Sequence, residues 1–261
     1  MDLGLKDMVS IVTGSSSGIG FETARMLVEE GAKVVVCGRD ADRAAQAREE
    51  IGAALAVGLD LADTEAPGEL VRLTEEAFGR VDVLVNNVGL AYQIAFDALT
   101  EEDWSSIWNL NVMSYVRSIQ AVLPGMRARH AGVIVNVSST AGKRPSTSMP
   151  NYSVSKAAVL SLSRLVADLY AKEGVRCNAV APGPTATDAW LGDGGLADQS
   201  RAGKEMSREE MLAAVGAGRP LGRLAVPEEI AAAIVFLCSE RSSYVTGAAW
   251  SVDGGTVPII I

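Results

Sequence analysis

Tyr152 and Lys156 stand four residues apart in the stretch Tyr152-Ser153-Val154-Ser155-Lys156. On a helix that spacing puts both side chains on one face, so a phenol and an ammonium converge on one small volume. A free tyrosine titrates near ~10, too high for proton transfer at neutrality, and a fixed cation beside it favours the phenolate. Tyr152 is therefore a candidate general acid/base. An ordinary amphipathic helix with a Tyr and a Lys on its surface has the same pattern. The pair gains meaning from a nucleotide site upstream and from polar partners at suitable spacing.

A nucleotide site is offered by Gly14-Ser15-Ser16-Ser17-Gly18-Ile19-Gly20. The spacing G-x-x-x-G-x-G is a variant of the dinucleotide fingerprint, with the same demands: a tight turn out of a strand, close backbone approach to a pyrophosphate, and a helix N-terminus that supplies N–H donors. Gly14, Ser16, Ser17, Gly18, Ile19 and Gly20 are the candidate contacts. No Gly-Lys-Ser/Thr closes the loop, which disfavours an NTP-hydrolysing P-loop. The next strand ends in Gly38-Arg39-Asp40. An acidic residue there would suit the ribose hydroxyls of NAD, whereas the Arg39 guanidinium suits a 2′-phosphate, so NADP(H) is favoured with NAD(H) possible. Asp40 is open to two readings, a ribose acceptor or the cap of the following helix.

The elements that must position these residues alternate along the chain. Apolar, β-branched runs at Met8–Thr13, Lys33–Cys37, Ala54–Leu59, Val81–Val85, Val133–Val137, Val175–Ala181 and Ala248–Val252 read as strands. Between them Phe21–Glu30, Ala41–Ile51, Glu65–Phe78, Glu101–Leu123 (stopped by Pro124-Gly125), Tyr152–Lys172 and Pro227–Ser239 read as helices. Continuous apolar strands joined by helical crossovers predict an α/β fold, a doubly wound parallel sheet of about seven strands with helices on both faces. Ligands bind beyond the carboxyl ends of such strands, where Gly14–Gly20, Gly38-Arg39, Asp60, Asn86–Gly89, Ser138-Ser139 and Pro182–Thr187 all fall. With no linker in view, residues 1–261 are expected to form a single domain.

Composition excludes several functions. Nearly half of the 261 residues are apolar, and a formal charge of −9 argues against a nucleic-acid binder. No apolar run has signal-peptide character or membrane-spanning length, which predicts a cytoplasmic protein without a membrane partner. Cys37, Cys177 and Cys238 lack metal-ligand spacing and read as buried, reduced thiols. His130 is the single histidine and lies in a polar connection, so neither a metal site nor a Ser-His-Asp triad is expected.

These motifs together resemble the short-chain dehydrogenase/reductase family over nearly the full length. The resemblance rests on Thr13–Gly20, Asn86-Asn87-Val88-Gly89, Asn111, Ser139, Tyr152-x-x-x-Lys156, Pro182-Gly183 and the closing Val245-Thr246-Gly247 and Val252-Asp253-Gly254-Gly255. It implies a Rossmann-type NAD(P)-binding fold and a catalytic set of Asn111, Ser139, Tyr152 and Lys156. Tyr152 would transfer the proton, Ser139 would hold the same substrate oxygen, and Lys156 would bind the nicotinamide ribose and lower the Tyr152 pKa. Asn111 would hold a water linking Lys156 to solvent. Asp60 and Leu61 would lie at the adenine, Asn87 and Gly89 along the adenosine ribose and beneath the nicotinamide, and Pro182, Gly183, Thr185 and Thr187 around the carboxamide and pyrophosphate. Val88 and Thr185 depart from the residues usual at those positions.

The expected reaction is hydride transfer between the nicotinamide and a ketone or secondary alcohol. Residues 185–219, with Trp190, Leu191, Gly194-Gly195, Met206, Met211 and Leu212, read as a glycine-hinged, partly helical substrate lid. The motifs are similar to those of 3-oxoacyl-acyl-carrier-protein reductases, which implies a small-molecule or acyl-thioester substrate, with Arg127, Arg129 and Lys172 available to an acidic carrier protein. Oxidation of a secondary alcohol, sugar alcohol or hydroxysteroid with NAD is the alternative, and a catalytically silent nucleotide sensor is another. The resemblance further implies a homotetramer or homodimer, paired through the two long helices, and the apolar tail Pro258–Ile261 suggests a packed C-terminus or a subunit contact.

Overall fold

A computed structural model describes residues 1–258, so the expectation for the end of the apolar tail, Ile259–Ile261, lies outside the described residues. Seven parallel strands form one sheet: β1 (Val9–Thr13), β2 (Lys33–Gly38), β3 (Leu55–Gly58), β4 (Val83–Asn86), β5 (Gly132–Val137), β6 (Val175–Pro182) and β7 (Ala249–Val252), in the order β3-β2-β1-β4-β5-β6-β7. Eleven α-helical segments accompany them: α1 (Gly18–Glu29), α2 (Ala41–Ile51), α3 (Ala66–Phe78), α4 (Glu101–Trp108), α5 (Ser114–Ala128), α6 (Thr140–Lys143), α7 (Pro150–Tyr170), α8 (Asp188–Leu191), α9 (Leu196–Arg201), α10 (Arg208–Ala217) and α11 (Pro227–Cys238).

The strand sequences explain the layering. Both faces of a parallel sheet are covered, so the strands are mostly apolar along both faces, with Ser10, Thr13, Asn86, Asn136 and Asn178 as buried polar exceptions, and alternate residues feed opposite cores. In β2, Val34 and Val36 pack with Leu27 of α1 and Ile230 and Ile234 of α11. Val35 and Cys37 face the other way, into a core with Leu70 of α3, Ile119 and Val122 of α5, and Val166 of α7. The chain runs outward from β1 to β3, then returns to place β4 on the other side of β1, so a crevice opens between the carboxyl ends of β1 and β4.

Besides α7, which runs two residues earlier at each end than expected, two helices differ from the sequence expectation. The first begins at Gly18 rather than Phe21, which makes Gly18-Ile19-Gly20 its first turn. The helix expected to stop at Pro124-Gly125 instead runs on to Ala128. Proline removes one N–H, but the carbonyl it orphans belongs to Gln120, which faces solvent, while Leu123 and Met126 on either side are buried. The same stretch is also interrupted earlier, by a π-turn at Asn109–Met113. Among the described residues no helix is long and apolar enough to cross a membrane. His130 sits in an exposed turn with φ 51°, at the amino end of β5 and so on the edge opposite the crevice. The three cysteines are free and buried.

Candidate active site

The glycine-rich turn is built by its neighbours. Thr13 Oγ1 accepts from the N–H groups of Asn87 (2.9 Å) and Val88 (3.1 Å), and the Asn87 amide donates to the carbonyls of Thr13 and Gly14, both at 3.0 Å. Ser15 Oγ donates to Val12 O at 2.6 Å and accepts from Cys37 N–H at 2.9 Å, tying the turn to β2. Gly20 is obligatory, because a Cβ there would lie 2.3 Å from Gly14 O and 2.5 Å from the Asn87 amide nitrogen. Phe21 is the first residue of α1 whose N–H finds a helical partner, Ser17 O at 3.2 Å. The N–H groups of Gly18, Ile19 and Gly20 therefore face the crevice as donors at a positive helix end, a fit for a dinucleotide pyrophosphate.

At the end of β2 the two readings of Asp40 are resolved: its carboxylate accepts from Asp42 N–H (3.0 Å) and Arg43 N–H (3.1 Å) as the cap of α2. Arg39 is exposed and makes no ion pair or side-chain hydrogen bond among the described residues. Asp60 closes a turn onto Ala62 N–H at 3.0 Å, and Leu61 is buried in the core, so its side chain does not reach the crevice.

A cleft of about 580 Å³ occupies the same edge. Ile19, Asn87, Gly89, Ser139, Tyr152, Lys156, Pro182, Gly183, Thr185 and Thr187 all contribute to its walls, whereas Arg39 and Asp60 lie outside it at the ends of β2 and β3. Thr185 is buried, its hydroxyl donating to Gly183 O at 2.9 Å. Thr187 would meet a Cβ on Gly18 at 3.2 Å, which sets the start of the 185–219 segment directly over the glycine turn.

Tyr152 and Lys156 share one face of α7, as their spacing requires. Lys156 is buried, and its Nζ donates to Val137 O at 2.9 Å and to the Tyr115 hydroxyl at 3.5 Å. Burial pushes its pKa down to about 7. Tyr152 departs from the sequence expectation: burial raises its pKa, and a hydrogen bond with Ser139 opposes the rise. Burial outweighs the Lys156 ammonium, whose Nζ donates to Val137 O and lies 5.8 Å from the centre of the Tyr152 ring. Ser139 caps α6, accepting from Ala141 N–H at 3.1 Å, whereas Ser138 turns inward and donates to Lys156 O at 2.7 Å.

Asn111 lies in the π-turn, fully buried behind the cleft wall. Its Oδ1 accepts from Leu90 N–H (2.8 Å) and its amide donates to Leu90 O (2.9 Å) and Ser155 Oγ (3.2 Å). Tyr115 escaped the sequence reading. It is fully buried, and its hydroxyl reaches Val88 O (2.9 Å), Val137 O (3.2 Å) and Lys156. The available signal was its place four residues after Asn111, one turn along the same face.

The family model described as enoyl-(acyl carrier protein) reductase matches residues 14–257. A cis-4-hydroxycyclohexanecarboxylate dehydrogenase of Sinomonas cyclohexanicum is 39% identical over 253 residues, covering 95% of this chain and 96% of that one. The chain belongs to the short-chain dehydrogenase/reductase family. Within that family it is also similar to a 3-oxoacyl-acyl-carrier-protein reductase of Thermotoga maritima, 35% identical with 97% of this chain and 99% of the relative covered. Among solved structures, L-sorbose reductase from Gluconobacter frateurii, complexed with NADPH and L-sorbose, superposes with a TM-score of 0.93 at 35% identity, covering 100% of both chains. The family's seven-stranded sheet and glycine turn are thus present from end to end.

Proposed function

We propose that this protein is an NADP(H)-preferring oxidoreductase that interconverts a ketone and a secondary alcohol. The observation that carries the reading is the convergence of Ser139, Tyr152 and Lys156 on one cleft that Ile19 of the glycine turn also lines. Gly14–Gly20 and the N-terminus of α1 would hold the pyrophosphate, Arg39 the 2′-phosphate, and Asp60 the adenine end. Lys156, Pro182, Gly183, Thr185 and Thr187 would hold the nicotinamide half. When bound, the nicotinamide supplies or takes the hydride at the reacting carbon.

The side chains handle the oxygen and its proton. Ser139 Oγ, oriented by its cap on α6, donates to the substrate oxygen, and the Tyr152 hydroxyl exchanges the proton with it. Lys156, once drawn toward a cofactor ribose, would bring its charge to Tyr152 and favour the phenolate. Asn111 fixes the 89–90 backbone beneath that position, and a water held there would relay protons outward from Lys156. Residues 185–219 would form the substrate lid. The exposed apolar residues Val154, Leu165 and Leu169 on α7 support association into a homo-oligomer through that helix.

The deciding experiment follows the absorbance of the reduced nicotinamide, with NADPH and NADH in turn, against ketones, thioester mimics and secondary alcohols. Tyr152→Phe should retain cofactor binding and lose at least about a hundredfold in kcat. Near-normal turnover in that variant would sink the assignment. An enzyme silent toward every substrate would instead favour a nucleotide sensor.

A further inference from the structure

Although the chain carries 32 acidic against 23 basic residues, no Asp or Glu lines the cleft among the described residues. The charged side chains on its walls are Lys156, Arg144 and Arg219. Lys156 is accounted for by the chemistry above; the two arginines are not. Most arginines here have a carboxylate within reach, as in Arg127 with Glu173 and Arg223 with Glu229. Arg144 and Arg219 form no ion pair and no side-chain hydrogen bond among the described residues, and the Arg219 Nε is buried without an acceptor. A buried guanidinium donor left unsatisfied is costly, and a group retained in that state marks a place for a ligand acceptor.

Their positions indicate which ligand. Arg144, an exposed residue, follows α6 in the connection between Ser139 and Tyr152 and lines the same cleft as both. Its neighbour Lys143 is turned away, donating to Ala249 O (2.7 Å) and Ser251 Oγ (2.9 Å). Arg219 follows α10 at the end of the 185–219 segment, and Met149, Trp190, Leu196 and Val215 add apolar wall to the same cleft. The cofactor phosphates already have donors at the N-terminus of α1. We infer that the substrate bears a carboxylate on a compact apolar skeleton, and that Arg144 and Arg219 hold this carboxylate. The inference rests on the oxidoreductase reading of the same cleft. Guanidinium groups match a carboxylate through paired N–H donors, and the apolar wall suits the carbon frame between acid and ketone.

The test compares 4-oxocyclohexanecarboxylate, its methyl ester and a phosphate-bearing cyclohexanone as substrates, with calorimetric binding of unreactive cyclohexanecarboxylate as a second readout. The acid should exceed the ester in kcat/KM by about tenfold to a hundredfold, the range of a charge-assisted contact. In Arg144→Gln and Arg219→Gln that ratio should fall toward one, and cyclohexanecarboxylate binding should be lost. Equal kcat/KM for acid and ester in the native enzyme would overturn the inference, as would a preference for the phosphate. Weakened NADPH binding in the variants with the acid preference intact would assign the arginines to the cofactor instead. If no ketone or alcohol is turned over, the oxidoreductase reading fails while calorimetry still decides whether the arginines bind a carboxylate.

Discussion

Lys156 donates from its ammonium to the main-chain oxygen of Val137, the last residue of β5, across 2.9 Å. The contact anchors a buried cation to the sheet edge next to Ser139, yet burial still lowers its pKa to about 7, well below the ordinary lysine value. The unfolded chain therefore holds a proton that the folded chain releases between pH 7 and ~10.

Stability of the cofactor-free protein should consequently rise with pH above 7, by up to about 1.4 kcal/mol per unit from this one site. The thiols act in the opposite direction. Burial raises Cys37, Cys177 and Cys238 to about 12, so above their unfolded pKa near ~8.5 the folded state retains protons that the unfolded chain loses. The clean window is pH 7 to ~8.5. Urea unfolding of the native protein and of Lys156→Met across that window should show the rise in the first and not in the second. Parallel curves would mean that Lys156 keeps its charge in the fold.

Asn111→Ala removes three hydrogen bonds that clamp the π-turn to Leu90 and Ser155. The expected cost is about 1–3 kcal/mol, seen as a Tm lower by about 2–4 °C per kcal/mol. Turnover should fall as well, since Gly89 and Leu90 lie in the cleft wall. An unchanged Tm would show that the clamp carries no stability.

Gly20→Ala tests the glycine turn. The added Cβ would approach the backbone oxygen of Gly14 to 2.3 Å, and neither side of that contact is a flexible side-chain tip. The turn must open, which misaligns the N–H donors of α1. NADPH affinity measured by fluorescence should fall by more than about tenfold, because two or more charge-assisted contacts weaken together. Native affinity in this variant would remove the turn from the cofactor site.

The strands, the glycine turn and the Tyr152–Lys156 pair were legible in the sequence because each follows from a local rule: continuous burial, a tight turn, or spacing along a helix. What was not legible depends on tertiary surroundings. Pro124 was read as a stop, and only the burial of Leu123 and Met126 carries the helix past it. The π-turn around Asn111 has no compositional signature, since it arises from the fit of the helix against Leu90 and Ser155. Lys156 was expected to lower the Tyr152 pKa, but its ammonium donates to the carbonyl of Val137, and burial of the phenol dominates. Arg144 and Arg219 are 75 positions apart in sequence, and only the fold brings both to the walls of one cleft.

Arg39 is the remaining lever on cofactor choice. Asp40 is committed to capping α2, and Arg43 lies 3.8 Å from Asp188, so at the end of β2 Arg39 is the cation left without a partner among the described residues. A 2′-phosphate placed there would gain a charge-assisted contact that NADH cannot form. Arg39→Glu should therefore raise the KM for NADPH by about tenfold to a hundredfold and leave that for NADH the same or lower, since a carboxylate can accept from the ribose hydroxyls. Because Arg39 is exposed, the native preference for NADPH should also weaken as salt rises from 0.05 to about 0.5 M, and the variant should lose that salt dependence. Steady-state kinetics with both cofactors at two ionic strengths measure all of this, and an NADPH to NADH ratio that the substitution does not move would place the phosphate elsewhere.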